Sequence, residues 1–356
     1  ILGRMKKTQF QEIYVSAFAD SAPWRKWFFS EVVRRDDEVF IVDDAAGKPS
    51  AALLMQPYVF QYAGAELPSG YISCVATRPE ARTRGLASEA VHRALDSARD
   101  RGYAFCELIP AGRALYYFYS RFGFAPVFYC DEERYTSLHA FAGGDGAEVE
   151  PRYADFAALE RRQGGGVLHS EADFKNILSD LTFESGREVV FVDGPDGAKA
   201  CLFAAYDASR ADSVVLVRSL MADTEPAALA ALAVLRDRVG ERPLTVRRPP
   251  HSGRKAALHA CGMVRIVSPL AVLQALAAAH PSLRYTIRLT DRLFSENDGY
   301  YTISKGNCSH SACSDRRPDL DVDVEVLASV LFSSGSAGEI FDLPTSRPYM
   351  ALMLDI

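Results

Sequence analysis

Between residues 71 and 127 the apolar pattern changes period several times. Tyr71-Ile72-Ser73-Cys74-Val75-Ala76 is a short apolar run of strand type. Over 86–101 the apolar residues fall at 86, 90, 91, 94, 95 and 98, the spacing of one buried helix face, and Gly102 stands where a helix ends. Tyr103-Ala104-Phe105-Cys106-Glu107-Leu108-Ile109 reads as a buried strand. The aromatic run over 114–122 reads as a short helix that Gly123 stops, and Phe124-Ala125-Pro126-Val127 starts another strand. Upstream, 6–37 predicts helices carrying the aromatic cluster Phe18, Trp24, Trp27, Phe28 and Phe29. Strands over 38–42 and 51–62 follow, joined by a turn at Gly47. Pro68-Ser69-Gly70 predicts a turn delivering the strand at 71.

The layout strand, loop, helix, glycine, strand recurs at 213–217, 220–226, 227–239, Gly240 and 243–246. Two readings stand for this segment, an altered second copy or an unrelated αβ unit. Its loop carries Asp223 and Glu225 and no glycine; acids at a helix N-terminus stabilise it themselves and repel a pyrophosphate. Arg247-Arg248-Pro249-Pro250 reads as a solvated connection, and Gly143-Gly144-Asp145-Gly146 as a linker. Beyond 268 the pattern predicts a helix over 270–279. Alternating strands over 284–289 and 300–304 follow, turned by Asn297-Asp298-Gly299, then a strand over 320–324 and short helices over 328–332 and 337–341. The run 349–356 is apolar.

A chain of 356 residues is long enough for two or three domains. The expected organisation is 6–142, 147–267 and 268–356, with Ile1-Leu2-Gly3-Arg4 given no structural weight. An apolar content of 48% and a charged content of 24% belong to a soluble globular chain. A net charge of −6 argues against nucleic acid as the main partner. No apolar run reaches the roughly 18 residues of a membrane span, and no signal peptide is visible. Seven scattered cysteines read as reduced thiols of a cytoplasmic protein. Cys308, His310 and Cys313 fit no common zinc spacing and read as a polar loop, so no metal is expected.

The chemistry centres on Arg82-Thr83-Arg84-Gly85-Leu86-Ala87, which joins the strand at 71–76 to the helix at 86. A helix N-terminus offers unpaired N–H groups and partial positive charge to an anion. Gly85 lets the backbone approach a phosphate, and Arg82 and Arg84 add charged donors. The same six residues also fit a merely basic surface loop.

The loop and the segments after it resemble the GNAT acetyltransferases. Arg82 to Ala87 match that family's pyrophosphate pattern, Gln/Arg-x-x-Gly-x-Gly/Ala, and Tyr119 to Phe124 match its Tyr-x-x-Phe-Gly-Phe/Tyr signature. With the tail at 320–356, the resemblance extends to the Eis-like branch, built from a GNAT domain, a degenerate second GNAT domain and a sterol-carrier-like domain. It implies an α/β (α+β) fold with two mixed-sheet GNAT-like domains before a sterol-carrier-like α+β domain. It also implies an N-acetyltransferase using acetyl-CoA on a small-molecule or peptide amine, and a homo-oligomer, a hexamer in that branch. By position the pantetheine arm falls on Val75, Ala76 and Thr77, and the pyrophosphate on Thr83, Arg84, Gly85, Leu86, Ala87 and Ser88, with Arg82 flanking. Tyr119 takes the place of the acid that protonates the leaving thiolate; helix spacing alone equally makes it a core aromatic beside Tyr116, Tyr117 and Phe118. The proton acceptor is the terminal carboxylate in that branch, here on Ile356, with Glu107 as the alternative. Asp355 adds charge favouring a cationic substrate. A peptidoglycan-building transferase using aminoacyl-tRNA fits less well, given the intact loop and acidic charge. A catalytically silent coenzyme-A- or lipid-binding module is the non-enzyme alternative.

Overall fold

The computed structural model describes residues 2–250, 257–333 and 340–350. In chain order, α1 (Leu2–Ala17) and α2 (Ala22–Trp27) run into a π-helical turn over Phe28–Val32. They precede β1 (Val39–Asp43), β2 (Pro49–Tyr62), β3 (Ala65–Thr77), α3 (Leu86–Asp100), β4 (Phe105–Leu108), α4 (Arg113–Ser120) and β5 (Ala125–Tyr135). Next come β6 (Ala147–Val149), α5 (Tyr153–Arg162), β7 (Gly166–Leu168), α6 (Glu171–Asp180), β8 (Arg187–Asp193), β9 (Lys199–Ala205), β10 (Val215–Ala222), α7 (Glu225–Val239), β11 (Leu244–Arg248) and β12 (Ala257–Ile266). The remainder is α8 (Pro269–Ala279), β13 (Tyr285–Thr290), β14 (Gly299–Ser304), β15 (Asn307–Ser311), β16 (Leu320–Asp323) and α9 (Val324–Leu331). The fold is mixed α/β, and its contacts divide it into two compact units. Of the described residues, one unit comprises those within 2–127 and 262–346, the other those within 128–261 and 347–350.

In the first unit the strand order is β1-β2-β3-β4-β12, with β3 and β4 parallel and the other neighbours antiparallel. Helix α3 covers one face with the residues its periodicity predicts, Ala90, Val91, Ala94, Leu95 and Ala98, against Leu53, Met55, Ile72, Cys106 and Leu108. Gly102 takes a left-handed φ of 69° just past its end. Phe105 points to the other face and packs on Phe60 and Phe332. The unit's second sheet runs β15-β14-β13-β16, with α8 and α9 alongside.

In the second unit the order is β5-β11-β10-β9-β8-β6, with β10 and β11 parallel. Ala-rich α7 packs on it through Ala227, Ala231, Leu232 and Leu235.

Several expectations are corrected here. Pro68-Ser69-Gly70 is no turn: β3 runs straight through it, and the chain reverses at Ala63-Gly64, both with positive φ, in a two-residue hairpin closed by Tyr62 and Ala65. Gly70 is glycine for closeness, since a Cβ there would lie 3.0 Å from the Tyr103 ring. Asn297-Asp298-Gly299 is no tight hairpin either. β13 and β14 are joined by a longer loop folded around the Asp291 carboxylate, which accepts from the Leu293 and Phe294 amides. Cys308 and His310 lie in strand β15, where the His310 ring stacks on Tyr301 at 4.4 Å, rather than in a loop. The helix expected at 328 begins at Val324, because Asp323 caps it by accepting from the Val326 amide. The helix expected over 337–341 falls largely outside the described residues.

The loop of the second unit begins only at Asp223, because Leu220, Met221 and Ala222 complete β10. Arg247 and Arg248 are no solvated connection. They lie in β11, and Arg248 is buried between Glu133 (3.3 Å) and Glu225 (2.9 Å). Thr224 caps α7 by accepting from the Ala227 amide, and Asp223 pairs with Arg162 and accepts from the Lys199 amide. The N-terminus of α7 thus carries its own acids and their partners.

Candidate functional site: a cleft at the N-terminus of α3

Beyond Thr77 the chain makes a 3-10 turn over Pro79–Ala81 and then the basic loop. Thr83 has φ 64° and Gly85 φ 82°, two left-handed residues with Arg84 between them. Left-handed geometry is costly for a β-branched residue, whereas alternating handedness turns successive N–H groups inward as a concave anion seat. Gly85 caps α3 without a side chain, so the first-turn amides of Leu86, Ala87 and Ser88 have no capping acceptor. Open space surrounds Gly85 where a Cβ would be.

This loop forms one wall of a cleft of about 660 Å³. Nine of the ten expected cofactor residues line it: Val75, Ala76, Thr77, Arg82, Thr83, Gly85, Leu86, Ala87 and Ser88. Arg84 is exposed and does not line it. The other walls are Ala17 and Phe18 at the end of α1 and Phe118 and Arg121 of the α4 region. Arg121, its guanidinium 5.0 Å from the Phe118 ring, is the second arginine of the cleft beside Arg82, and nothing in the sequence marks it except its place three residues after Phe118.

Two backbone irregularities open the cleft. β3 and β4 pair at Ser69, Gly70 and Tyr71 and no further among the described residues, so the later part of β3 has a partner on the β2 side alone. Ala52 faces Ala76 while Leu54 faces Ser73, so Cys74 and Val75 share the place opposite Leu53 in a bulge. Cys74 sits at φ 52°, a conformation unusual for a residue with a Cβ. Nothing in the sequence marks this bulge.

Tyr119 is 6% exposed in the core cluster under α3, its ring 4.9 Å from Phe118 and 6.0 Å from Phe124. Burial pushes its phenol up to about 12, so it holds its proton at neutral pH. Tyr119 itself does not line the cleft; its neighbour Phe118 does, and the lining residues Val75 and Leu86 pack against the same core cluster. Tyr117 is 76% exposed. Glu107 is completely buried and does not line the cleft. Asp20, just past α1, is a further carboxylate outside the cleft lining; it accepts the Tyr14 hydroxyl at 2.7 Å. The Tyr14 phenol is raised by burial and by the proximity of Cys74 and Asp20. Ile356 and Asp355 lie outside the described residues. No cluster of three His, Cys, Asp or Glu able to hold a metal occurs among the described residues.

Residues 4–127 match the family described as the acetyltransferase (GNAT) domain. No curated protein matches the chain. Among solved structures it is similar to Eis1 from Mycobacterium abscessus, at 16% identity and a TM-score of 0.70, covering 98% of this chain and 97% of that one. It is also similar to a conserved protein of unknown function and probable N-acyltransferase from Enterococcus faecalis V583, at 14% identity and a TM-score of 0.74, covering 99% and 97%. A GCN5-related N-acetyltransferase from Kribbella flavida aligns at 18% identity and a TM-score of 0.70, covering 99% and 96%. These likenesses concern the fold.

Proposed function

We propose that this protein, a GNAT-type acyltransferase by the domain at 4–127, moves an acetyl group from acetyl-CoA to an amine. The observation that carries the reading is the coincidence of the uncapped α3 N-terminus with the open edge of β3 in one cleft. The pyrophosphate fits the amides of 83–88, with Arg82 and Arg121 as charged flanks. The pantetheine arm fits the free side of β3 at 75–77 as an added strand would. The bulge at Cys74–Val75 then turns main-chain groups toward the carbonyl carbon, where donors are needed for the developing oxyanion.

The amine attacks the thioester carbon, the carbon–sulfur bond breaks, and sulfur leaves with a proton from Tyr119. The amine must give up a proton first. Asp20, paired with Tyr14 and two residues after the lining residue Phe18, suits the anchoring of a cationic amine. The Ile356 carboxylate is the acceptor that the family resemblance implies. We read 268–356 as the sterol-carrier-like part and 147–267 as the degenerate second domain.

The test is release of free thiol from acetyl-CoA with a panel of mono- and polyamines, run on the wild type and Tyr119→Phe. Removing a general acid costs about 10²–10⁴-fold in rate. A loss of that size with acetyl-CoA affinity intact supports the reading. No amine-dependent thiol release from any panel member, with coenzyme A still bound, would turn it toward a silent coenzyme-A-binding module.

A further inference from the structure

The last turn of the α4 segment ends on a buried ion pair that the chemistry above leaves unused. Arg265 of β12 is 1% exposed. Its Nη1 donates to the Phe122 carbonyl at 2.6 Å, and its Nη2 donates to both Asp291 oxygens, each at 2.8 Å. Asp291 is held in turn by the Leu293 amide at 3.0 Å, the Phe294 amide at 3.2 Å and the Asn297 side-chain amide at 2.9 Å. The guanidinium lies 4.9 Å from the Phe294 ring centre. Gly123 lets it in: a Cβ there would collide with Arg265 Nη1 and come within 2.9 Å of Val324 Cγ1. The glycine of the Tyr119-to-Phe124 signature is therefore a passage for an arginine from a distant strand as well as a helix stop.

The carbonyls at a helix C-terminus have no partner within the helix. Arg265 supplies one, and the amide of the same Phe122 donates to the Tyr119 carbonyl at 2.9 Å. An unbroken chain of hydrogen bonds thus runs from the β13–β14 loop through Asp291, Arg265 and Phe122 to Tyr119. Burying two charges is expensive, and apolar residues of similar volume are often as stable. The forked guanidinium instead fixes direction, which a lysine cannot do toward two acceptors at once.

We propose that Arg265, oriented by Asp291, is a positioning residue for Tyr119: it sets the pitch of the last turn of α4 so that the phenol meets the leaving sulfur. The small four-stranded sheet thereby takes part in the reaction, through the loop that carries Asp291. This inference rests on Tyr119 as the acid.

The test is a double-mutant cycle between the clamp and Tyr119. Arg265→Met with Asp291→Asn removes both charges together and strands neither. Small misplacement of a reacting group costs about 10²-fold, so this variant is expected to lose about that much turnover. Its KM for acetyl-CoA should change far less, within about threefold, because most of the phosphate seat lies on the untouched α3 N-terminus and only Arg121 rides on the displaced turn. Combined with Tyr119→Phe, the same change should cost under about twofold, the non-additivity of groups acting as one. Asp291→Asn alone keeps the shape and an acceptor oxygen. It serves if the paired variant fails to fold, with a loss of about tenfold that also vanishes in the Tyr119→Phe background. Costs that multiply with Tyr119→Phe would reduce the clamp to a structural prop while leaving the acid in place. Full turnover by Tyr119→Phe alone would remove the acid, and this inference with it.

Discussion

Glu107→Gln should stabilise the protein increasingly as pH rises from 5 to 8, and should leave turnover intact. The Glu107 side chain, on β4, is fully enclosed, and no hydrogen bond of normal geometry reaches either oxygen among the described residues. Burial drives the carboxyl from its ordinary 4.5 up to about 8, opposed only in part by the nearby Ser69 hydroxyl and its own backbone amide. In the unfolded chain the group ionises near 4.5, so between these two values the folded state holds one proton more. Stability from this group is therefore fully present below about 4.5 and is lost as pH climbs toward 8, at about 1.36 kcal/mol per pH unit. The ceiling is about 5 kcal/mol across that window, and water entering the site would lower it. Glutamine carries no such dependence; its extra N–H donors impose a roughly constant cost of about 1–2 kcal/mol. The quantity to read is thus the change in the stability difference between pH 5 and pH 8, from urea unfolding of both proteins. Parallel curves for the two would mean that the carboxylate is solvated or ionised in the native protein, and the burial argument would fall. In the same preparations, loss of acyl transfer by Glu107→Gln with acetyl-CoA affinity unchanged would restore Glu107 as the proton acceptor.

Coenzyme A at about 100 times its Kd should raise stability by roughly 2.7 kcal/mol, seen as a higher Tm, and Gly85→Glu should erase that rise by placing bulk and negative charge in the phosphate seat; an unchanged rise would put the phosphate elsewhere. Gly123→Ala should lower stability by about 1–3 kcal/mol through forced repacking around Arg265, measured by denaturant midpoint. Arg248→Met should cost about 2 kcal/mol by removing the partner that Glu133 and Glu225 share, with acetyl-CoA binding unchanged; a neutral result would show that solvent already screens this pair.

The sequence showed most where periodicity and glycine coincide. Helix α3 is bounded by Gly85 as its N-cap and Gly102 just past its end, and the face it buries is the one its spacing marks, so the loop before it could be located to the residue. Glycine and proline misled where they serve packing. Gly70 resembles a turn residue and is instead the flat spot beneath Tyr103. Arginine misled in the same way: Arg248 beside two prolines looks solvated, and only the carboxylates brought to it by other elements make it a buried residue. Arg265 carries no local signal at all, because its partners lie 143 and 26 residues away. The bulge at Cys74 is likewise invisible, since register belongs to the pairing of two strands and not to either one.

The free side of β3 beyond Tyr71 has a consequence for handling. It is an edge inside a sheet, a row of main-chain donors and acceptors that no neighbouring strand among the described residues covers. Such edges template the addition of any extended segment, including one from another copy of the same chain. At Val75, Ala76 and Thr77 this row lines the cleft, and acetyl-CoA lying along it would act as a removable strand. Storage life and resistance to precipitation should then follow cosubstrate concentration, and a proline at Ala76, which takes one N–H out of the row, would weaken cosubstrate binding and self-association together.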